Sequence, residues 1–134
     1  MDMFRIGLIG AGSIGARHIK AIDEVAHIEL VAIADPSPAA AQLGATRNIP
    51  VFADADSMLS EADIEAVIIS TPTERHHADV MTALKHRKTV LVEKPITATM
   101  TEADELTRYA AAQGCRVLVG HQRRYYPCAR TARE

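Results

Sequence analysis

Short apolar runs rich in β-branched residues alternate along this chain with stretches of helical character. The runs are continuously apolar, which is typical of strands buried on both faces. Strands that alternate with helices imply right-handed crossovers, and hence a doubly wound, mostly parallel α/β sheet in a three-layer αβα arrangement. The predicted strands cover residues 5–9, 28–34, 51–52, 66–70, 89–92 and 116–119, and the predicted helices cover residues 13–26, 38–43, 57–61, 74–87 and 101–113.

Size and composition limit the classes of protein to which this chain can belong. The length of 134 residues fits one domain with a core of its own. A formal net charge of −2 gives no overall positive field, which disfavours nucleic acid as a partner. No apolar run reaches the roughly 18 residues of a membrane span, and the first residues lack a signal-peptide pattern. The two cysteines form no CxxC pair and no metal-ligand pattern, so we expect a cytoplasmic protein without a metal site.

A glycine motif, GAGSIG at residues 10–15, follows the first predicted strand and opens the first predicted helix. In that context a GxGxxG motif binds the diphosphate of a dinucleotide. Gly10 allows the tight turn, Gly12 lets the backbone approach the diphosphate, and Gly15 lets helix and strand pack closely. The helix N-terminus then offers free N–H groups to phosphate oxygens. The alternative is a plain strand-to-helix turn without a ligand.

An aspartate, Asp35, ends the second predicted strand, 20 residues after Gly15. An acid at this place accepts hydrogen bonds from the adenosine ribose and repels the 2′-phosphate of NADP. No Arg or Lys follows before Arg47, so the sequence favours NAD over NADP. The alternative role for Asp35 is to cap the helix that follows Pro36, and the two roles are compatible.

Polar residues also follow the fourth predicted strand. Thr71, Pro72 and Thr73 come where the strand ends, and His76 lies in the first turn of the next helix. The carboxyl ends of parallel strands meet at one crevice, so we expect these residues there, although Pro72 and Thr73 are also typical of a helix start. Neighbours on a helix diverge by about 100°, so His76 and His77 are not expected to share a metal ion.

Two predictions concern the helices themselves. His18 lies on the apolar stripe of the first helix and is expected to be a packed core histidine. The fifth helix is expected to begin with Thr101 as its N-cap and to end at Gly114 as its C-cap.

The fifth predicted strand ends in Glu93, Lys94 and Pro95. Ionisable groups at this place point into the crevice where a nicotinamide ring would lie. Lys94 is a candidate to stabilise negative charge that develops on a substrate oxygen and, if it is buried, to exchange a proton. The alternative is an exposed ion pair between Glu93 and Lys94.

The sixth predicted strand leads into a polar and aromatic cluster, GHQRRYYP at residues 120–127. The cluster follows a strand end, so it is expected on the same side of the sheet as the other polar residues. A solvated loop is one alternative. A basic and aromatic patch for RNA is another, for which one short cluster on an acidic chain is weak support.

These motifs, in this order and at these intervals, resemble the N-terminal domain of the Gfo/Idh/MocA oxidoreductases, the family of glucose–fructose oxidoreductase and inositol dehydrogenase. The resemblance rests on the glycine motif, Asp35, TPTERH at residues 71–76, Glu93-Lys94-Pro95 and GHQRRY at residues 120–125, and it covers almost the whole chain. Many dinucleotide-binding proteins share the glycine motif. The Glu-Lys-Pro triplet after the fifth strand is the specific signal.

The resemblance implies a Rossmann fold that binds NAD, with NADP less favoured, and hydride transfer between nicotinamide and a hydroxyl of a sugar or polyol. Lys94 would be the catalytic residue that also touches substrate, and a cis bond between Lys94 and Pro95 would aim it. No metal is implied. The residues that the resemblance assigns to the cofactor are Gly10, Gly12, Ser13, Ile14, Gly15, Asp35, Thr71, Pro72, His76, Glu93, Lys94 and Gln122.

Members of that family continue into a second α/β domain, which carries the substrate pocket, the usual catalytic His or Asp, and most of the interface of homo-oligomers. We therefore expect residues 1–122 to form the cofactor domain. Residues 123–134 would start the connection to a second domain absent from this chain, with residues 129–134 as the first two turns of a helix. Such a chain would bind NAD and turn over poorly alone.

Two other functions stay open. The first is an NAD(H)-sensing regulatory module that acts through a protein partner. Such a module would also consist of a cofactor domain without a substrate domain, because fold does not fix function. Nucleic-acid binding ranks third, and it would use Arg123, Arg124, Arg130 and Arg133.

Overall fold

A computed structural model describes residues 2–132 of the chain. Its centre is a six-stranded sheet in which all neighbouring strands run parallel. The order across the sheet is β3-β2-β1-β4-β5-β6. Strands β2 and β3 therefore lie on one side of β1, and strands β4 to β6 lie on the other. The predicted doubly wound parallel sheet is confirmed. Its strands are β1 (Phe4–Ile9), β2 (Ile28–Ala34), β3 (Val51–Phe52), β4 (Ala66–Ile69), β5 (Thr89–Glu93) and β6 (Val117–Gly120).

Helices cover both faces of the sheet. One core contains Leu8 of β1 together with Ile19 of the first helix, and the opposite core contains Ile9 together with Val80 of the fourth helix. Successive residues of a strand point to opposite faces, so each central strand contributes to both cores. The helices are α1 (Ser13–Asp23), α2 (Pro38–Arg47), α3 (Ala55–Glu61), α4 (Thr73–Lys85), α5 (Met100–Gln113) and α6 (Pro127–Thr131).

Several helix ends differ from the sequence predictions: α1 ends earlier, at Asp23, α2 ends later, at Arg47, and two helix starts differ because of their caps. Helix α5 begins after Thr99 and not after Thr101, because Thr99 and Glu102 form a capping box. The Thr99 hydroxyl accepts the Glu102 N–H at 3.3 Å, and the Glu102 carboxylate accepts the Thr99 N–H at 3.1 Å. The predicted C-cap is confirmed, since Gly114 has a φ of +65°. Helix α3 starts earlier than predicted because Asp54 caps it.

The part of the chain after β6 lies on the surface. A single 3₁₀ turn, Gln122–Tyr125, leads into α6, and no residue of either is buried. The helix predicted over residues 129–134 thus begins earlier, at Pro127, while Arg133 and Glu134 lie outside the described residues. No helix among residues 2–132 is long and apolar enough to cross a membrane.

Candidate functional site

The glycine motif forms the turn from β1 into α1, and its glycines have different roles. Gly10 has a φ of +89°, and a Cβ there would lie 2.8 Å from the backbone nitrogen of Thr71. A Cβ on Gly15 would overlap the carbonyl oxygen of Gly10. A Cβ on Gly12 would meet nothing within 4 Å. The fold itself requires Gly10 and Gly15, whereas Gly12 borders open space at the start of α1.

That space is part of a cavity of about 590 Å³ at the carboxyl ends of the central strands. Gly12 is the N-cap of α1 and makes no side-chain capping bond, and the exposed Ser13 and Ile14 follow it. Uncapped N–H groups at a helix start bind phosphate oxygens. The cavity wall is held together by Ser70, whose hydroxyl donates to the Gly10 carbonyl oxygen at 2.7 Å.

Asp35 lines this cavity at the end of β2. Its Oδ2 accepts the Ala11 N–H and its Oδ1 accepts the Ser37 N–H, each at 2.8 Å. Partial burial raises the pKa of Asp35, but these hydrogen bonds outweigh it and hold the pKa below its ordinary value. The carboxylate is therefore charged at neutral pH. The alternative role as helix cap is wrong, because Ser37 caps α2 by accepting the Ala40 N–H.

Two residues of the same cavity were missed by sequence reasoning. Asp54 follows β3 as Asp35 follows β2, so the same argument would have found it. Arg75 reaches the cavity from α4, far from Asp35 in sequence; it lies within the TPTERH motif, in which no role was assigned to it. The expectation from the sequence concerned only cations that follow Asp35 along the chain, and the structure adds Arg75, which lines the same cavity.

A second cavity, of about 310 Å³, adjoins the first through shared residues such as Ile14, Thr71 and Pro72. Glu93 and Lys94, from the end of β5, line it. Nε2 of His18 lies 2.8 Å from Oε1 of Glu93. The prediction of a packed core histidine is therefore wrong for His18: its side chain is 20% exposed and hydrogen-bonds an acid in the cleft.

Lys94 lies at the mouth of the second cavity. The burial required for the proton exchange considered above is not observed, because Lys94 is exposed. The alternative, an ion pair between Glu93 and Lys94, is also wrong: within residues 2–132 Glu93 is hydrogen-bonded to His18, and Lys94 has no carboxylate within ion-pair distance. The predicted cis bond between Lys94 and Pro95 is confirmed.

His76 and Asp79 support the wall between the two cavities from α4. The His76 ring is 1% exposed, and its two nitrogens each lie 2.8 Å from a backbone oxygen, Nδ1 from that of Pro95 and Nε2 from that of Thr71. Asp79, which sequence reasoning missed, is 3% exposed and accepts the Thr71 hydroxyl at 2.7 Å. Both ring nitrogens of His76 are thus engaged by the protein backbone.

The cluster after β6 closes the second cavity on its outer side. Gln122, Arg123 and Tyr126 line it, and all three are exposed. No group of three or more potential metal ligands is found within residues 2–132. Of the residues assigned to the cofactor, all except Gly15 therefore line a single crevice made of two adjoining cavities.

The fold and the crevice define a dinucleotide-binding Rossmann domain. The crevice lies at the carboxyl ends of the strands, where the strand order changes direction between β1 and β4. The N-terminus of α1 opens onto it, and the charged Asp35 carboxylate lies at the end of the neighbouring strand β2. Residues 4–121 match the Gfo/Idh/MocA family, described as an oxidoreductase family with an NAD-binding Rossmann fold. The chain belongs to this family and is its NAD-binding domain.

Relatives of known sequence and structure agree with this assignment. The chain is 36% identical over 127 residues to an inositol 2-dehydrogenase of Acidothermus cellulolyticus, covering 92% of this chain and 37% of that protein. It is 32% identical over 127 residues to the rhizopine catabolism protein MocA of Rhizobium meliloti, covering 95% of this chain and 40% of that protein.

A crystal structure of scyllo-inositol dehydrogenase from Lactobacillus casei, with bound NAD(H) and scyllo-inositol, superimposes with a TM-score of 0.90 at 29% identity. The match covers 98% of this chain and 40% of that one. The chain thus spans well under half the length of each of these relatives.

Proposed function

We propose that the crevice binds NAD in an extended form, as the cofactor half of a dehydrogenase that acts on a hydroxyl of a sugar or polyol. The diphosphate would lie at the start of α1 against Gly10, Gly12, Ser13, Ile14 and Gly15. The observation that carries this proposal is the open space beside Gly12, at an uncapped helix start inside a cavity of about 590 Å³. The similarity to proteins named as inositol dehydrogenases supports a polyol as the class of substrate.

We assign the adenosine ribose to Asp35 and the nicotinamide end to the second cavity. The Asp35 carboxylate is charged and held in place by two N–H groups, as an acceptor for ribose hydroxyls requires. A 2′-phosphate would meet this charge, so we expect NAD to bind more tightly than NADP. Thr71 and Pro72 would form the wall between the two halves, and His76, which also lines the second cavity, would hold that wall through its contact with the Thr71 carbonyl oxygen.

Bound NAD supplies the hydride-accepting nicotinamide, and Lys94 would act on the substrate oxygen. An exposed ammonium without an ion-pair partner among residues 2–132 is free to donate to that oxygen and stabilise its negative charge. Glu93 and Gln122 would border the ring. Hydride transfer needs both carbons held in place, which requires a second wall for the cleft. We place residues 1–122 in the cofactor domain and residues 123–134 at the start of a connection to a substrate domain.

The test of this function is a titration with NADH. The chain contains no Trp, so the fluorescence of NADH itself can be followed with little protein background. We expect saturable binding with a 1:1 stoichiometry, displaced by ADP and by NAD, and weaker binding of NADPH. Absence of saturable NADH binding to a folded chain would overturn the proposal.

A second candidate is an NAD(H)-sensing module that acts through a protein partner. Leu118, Tyr125 and Tyr126 are large apolar or aromatic side chains that are 55%, 80% and 51% exposed. Tyr126 lines the second cavity, and exposed apolar side chains favour an interaction on this side of the protein. This candidate predicts a partner complex whose affinity changes with NADH and falls in Leu118→Glu. A cytoplasmic location stays a prediction from the two unpaired cysteines.

A further inference from the structure

We propose that His18 is a positioning residue for the nicotinamide end of the cleft. It holds the Glu93 carboxylate on the α1 side of the second cavity, and the Lys94 ammonium thereby stays free of an ion pair. The proposal rests on the proposed function, because it concerns the same cleft. It adds a residue that acts through Glu93.

The first support is the contact itself. His18 and Glu93 are 75 residues apart in sequence, yet Nε2 and Oε1 lie 2.8 Å apart. The two side chains are only 20% and 12% exposed, so water competes little for this hydrogen bond. The contact joins the helix that begins at the first cavity to the strand that ends at the second.

The second support is the direction of the Glu93 side chain. Val90 and Val92 of β5 pack into the core beneath α4, whereas Leu91 packs against the core beneath α1. Glu93 is two residues beyond Leu91 and therefore points to the α1 side. A Cβ on Gly120 of β6 would lie 3.2 Å from Oε1 of Glu93, so the neighbouring strand packs closely against the carboxylate.

The third support is the charge around the second cavity. Glu93 is the one acid among the described residues that line it, whereas Arg17, Lys94 and Arg123 line it with positive charge. A carboxylate that lost its His18 partner would be attracted to these cations. An ion pair with Lys94 would occupy the ammonium that the proposed function assigns to the substrate oxygen. The direction of Glu93 along β5 turns its carboxylate towards α1, and the His18 contact holds it there, away from Lys94.

The test compares two ligands on three variants. ADP carries the adenosine and the diphosphate but neither the nicotinamide nor its ribose, whereas NADH carries both ends. His18→Leu removes the donor, and His18→Gln keeps an N–H at a similar reach. His86→Leu is the matched control, because Nε2 of His86 also lies 2.8 Å from a carboxylate, that of Asp56, outside the two cavities.

We expect His18→Leu to weaken NADH binding about tenfold, the value of one hydrogen bond to a charged group, and to leave ADP binding within about twofold. His18→Gln should restore most of the NADH affinity, and His86→Leu should change neither ligand. In the Glu93→Gln background, His18→Leu should have little further effect, because His18 acts through that carboxylate.

Each contrary result overturns the positioning role. Equal losses for NADH and ADP in both His18 variants would show a purely structural effect on α1. Additive losses in the double variant with Glu93→Gln would show that His18 acts independently of Glu93. Unchanged NADH binding in His18→Leu would show that the contact is without effect. Failure of the proposed function is distinct from all of these, since the unaltered chain would then bind neither NADH nor ADP.

Discussion

The hydroxyl of Thr71 donates to the carboxylate of Asp79 at 2.7 Å, and Asp79 is 3% exposed. Thr71 lies in both cavity walls, whereas Asp79 lies behind them on α4. A buried carboxylate is stable only when it is hydrogen-bonded, and Arg75 supplies a second donor at 3.3 Å. The position of the wall between the two halves of the crevice therefore depends on a residue that lines neither cavity.

Removal of this carboxylate should destabilise the fold. Asp79→Ala leaves the Thr71 hydroxyl without its acceptor, so we expect the free energy of unfolding to fall by about 2 kcal/mol, with a smaller loss for Asp79→Asn. Urea unfolding measures both. The control is Asp104→Ala, an exposed aspartate on α5, for which a change within about 0.5 kcal/mol is expected. Equal losses for Asp79→Ala and Asp104→Ala would contradict the role of Asp79.

Substitution of two glycines in the same turn by alanine should separate ligand binding from stability. A methyl group on Gly12 has open space in the protein but would occupy the proposed place of the diphosphate, so Gly12→Ala should lose no more than the roughly 1 kcal/mol of an N-cap change and lose NADH affinity at least about tenfold. A methyl group on Gly15 overlaps the Gly10 carbonyl, so Gly15→Ala should lose about 2 kcal/mol of stability or more. Thermal unfolding and NADH titration together measure the two effects. Destabilisation of Gly12→Ala to the level of Gly15→Ala would refute the distinction.

The lowered pKa of Asp35 predicts how its contribution to stability depends on pH. The folded state holds the pKa below the ordinary value of 3.8, so the folded state favours the charged form. The resulting stabilisation is fully present above that value and is lost as the pH falls through the lowered folded pKa. Asp35→Asn should therefore be less stable than the unaltered chain at about pH 6, and the difference should shrink towards about pH 3. Urea unfolding across this range measures it, and a difference that grows on acidification would be the opposite result.

The same side chain should set the preference between the two dinucleotides. Asp35→Ala would remove the proposed acceptor for ribose hydroxyls and the charge expected to repel a 2′-phosphate, while Arg75 still lines the cavity. We expect NADH to bind about tenfold more weakly and NADPH to bind unchanged or more tightly. Titrations with both ligands give the ratio. Arg75→Leu in the Asp35→Ala background should remove any gain in NADPH affinity, and a gain that persists would exclude Arg75 as its cause.

Local signals explain what the sequence predicted well. Turn chemistry needs no partner from elsewhere in the chain, and the glycine motif carries both its turn and its helix start within six residues. Asp35 follows from counting along one βαβ unit. Because alternating strands and helices predict a parallel sheet, the carboxyl end of every predicted strand is expected at one edge; the order of the strands was not predicted and comes from the structure.

Contacts between distant segments of the chain explain what the sequence analysis missed. The partner of His18 is 75 residues away, and an apolar stripe alone does not distinguish a packed ring from one that reaches a carboxylate at its edge. Asp79 lies on the buried face of α4, where a charged residue contradicts the helical pattern unless its partners are known. The misplaced start of α5 has a different cause, because Thr99 and Thr101 are both plausible caps and only the capping box with Glu102 decides between them.

The hydrogen bonds around Gly10 differ from those at the other end of the crevice, beside the second cavity. Gly10, Ala34 and Ser70 join three strand ends by direct hydrogen bonds, whereas the 3₁₀ turn at Gln122–Tyr125 is exposed and bonded mainly to its own neighbours. In the proposed binding mode, the adenosine end of the ligand would lie against this hydrogen-bonded wall, and the nicotinamide end would border the surface turn. We then expect ordering of Gln122–Tyr125 to add an entropic cost at the nicotinamide end that the adenosine end does not carry.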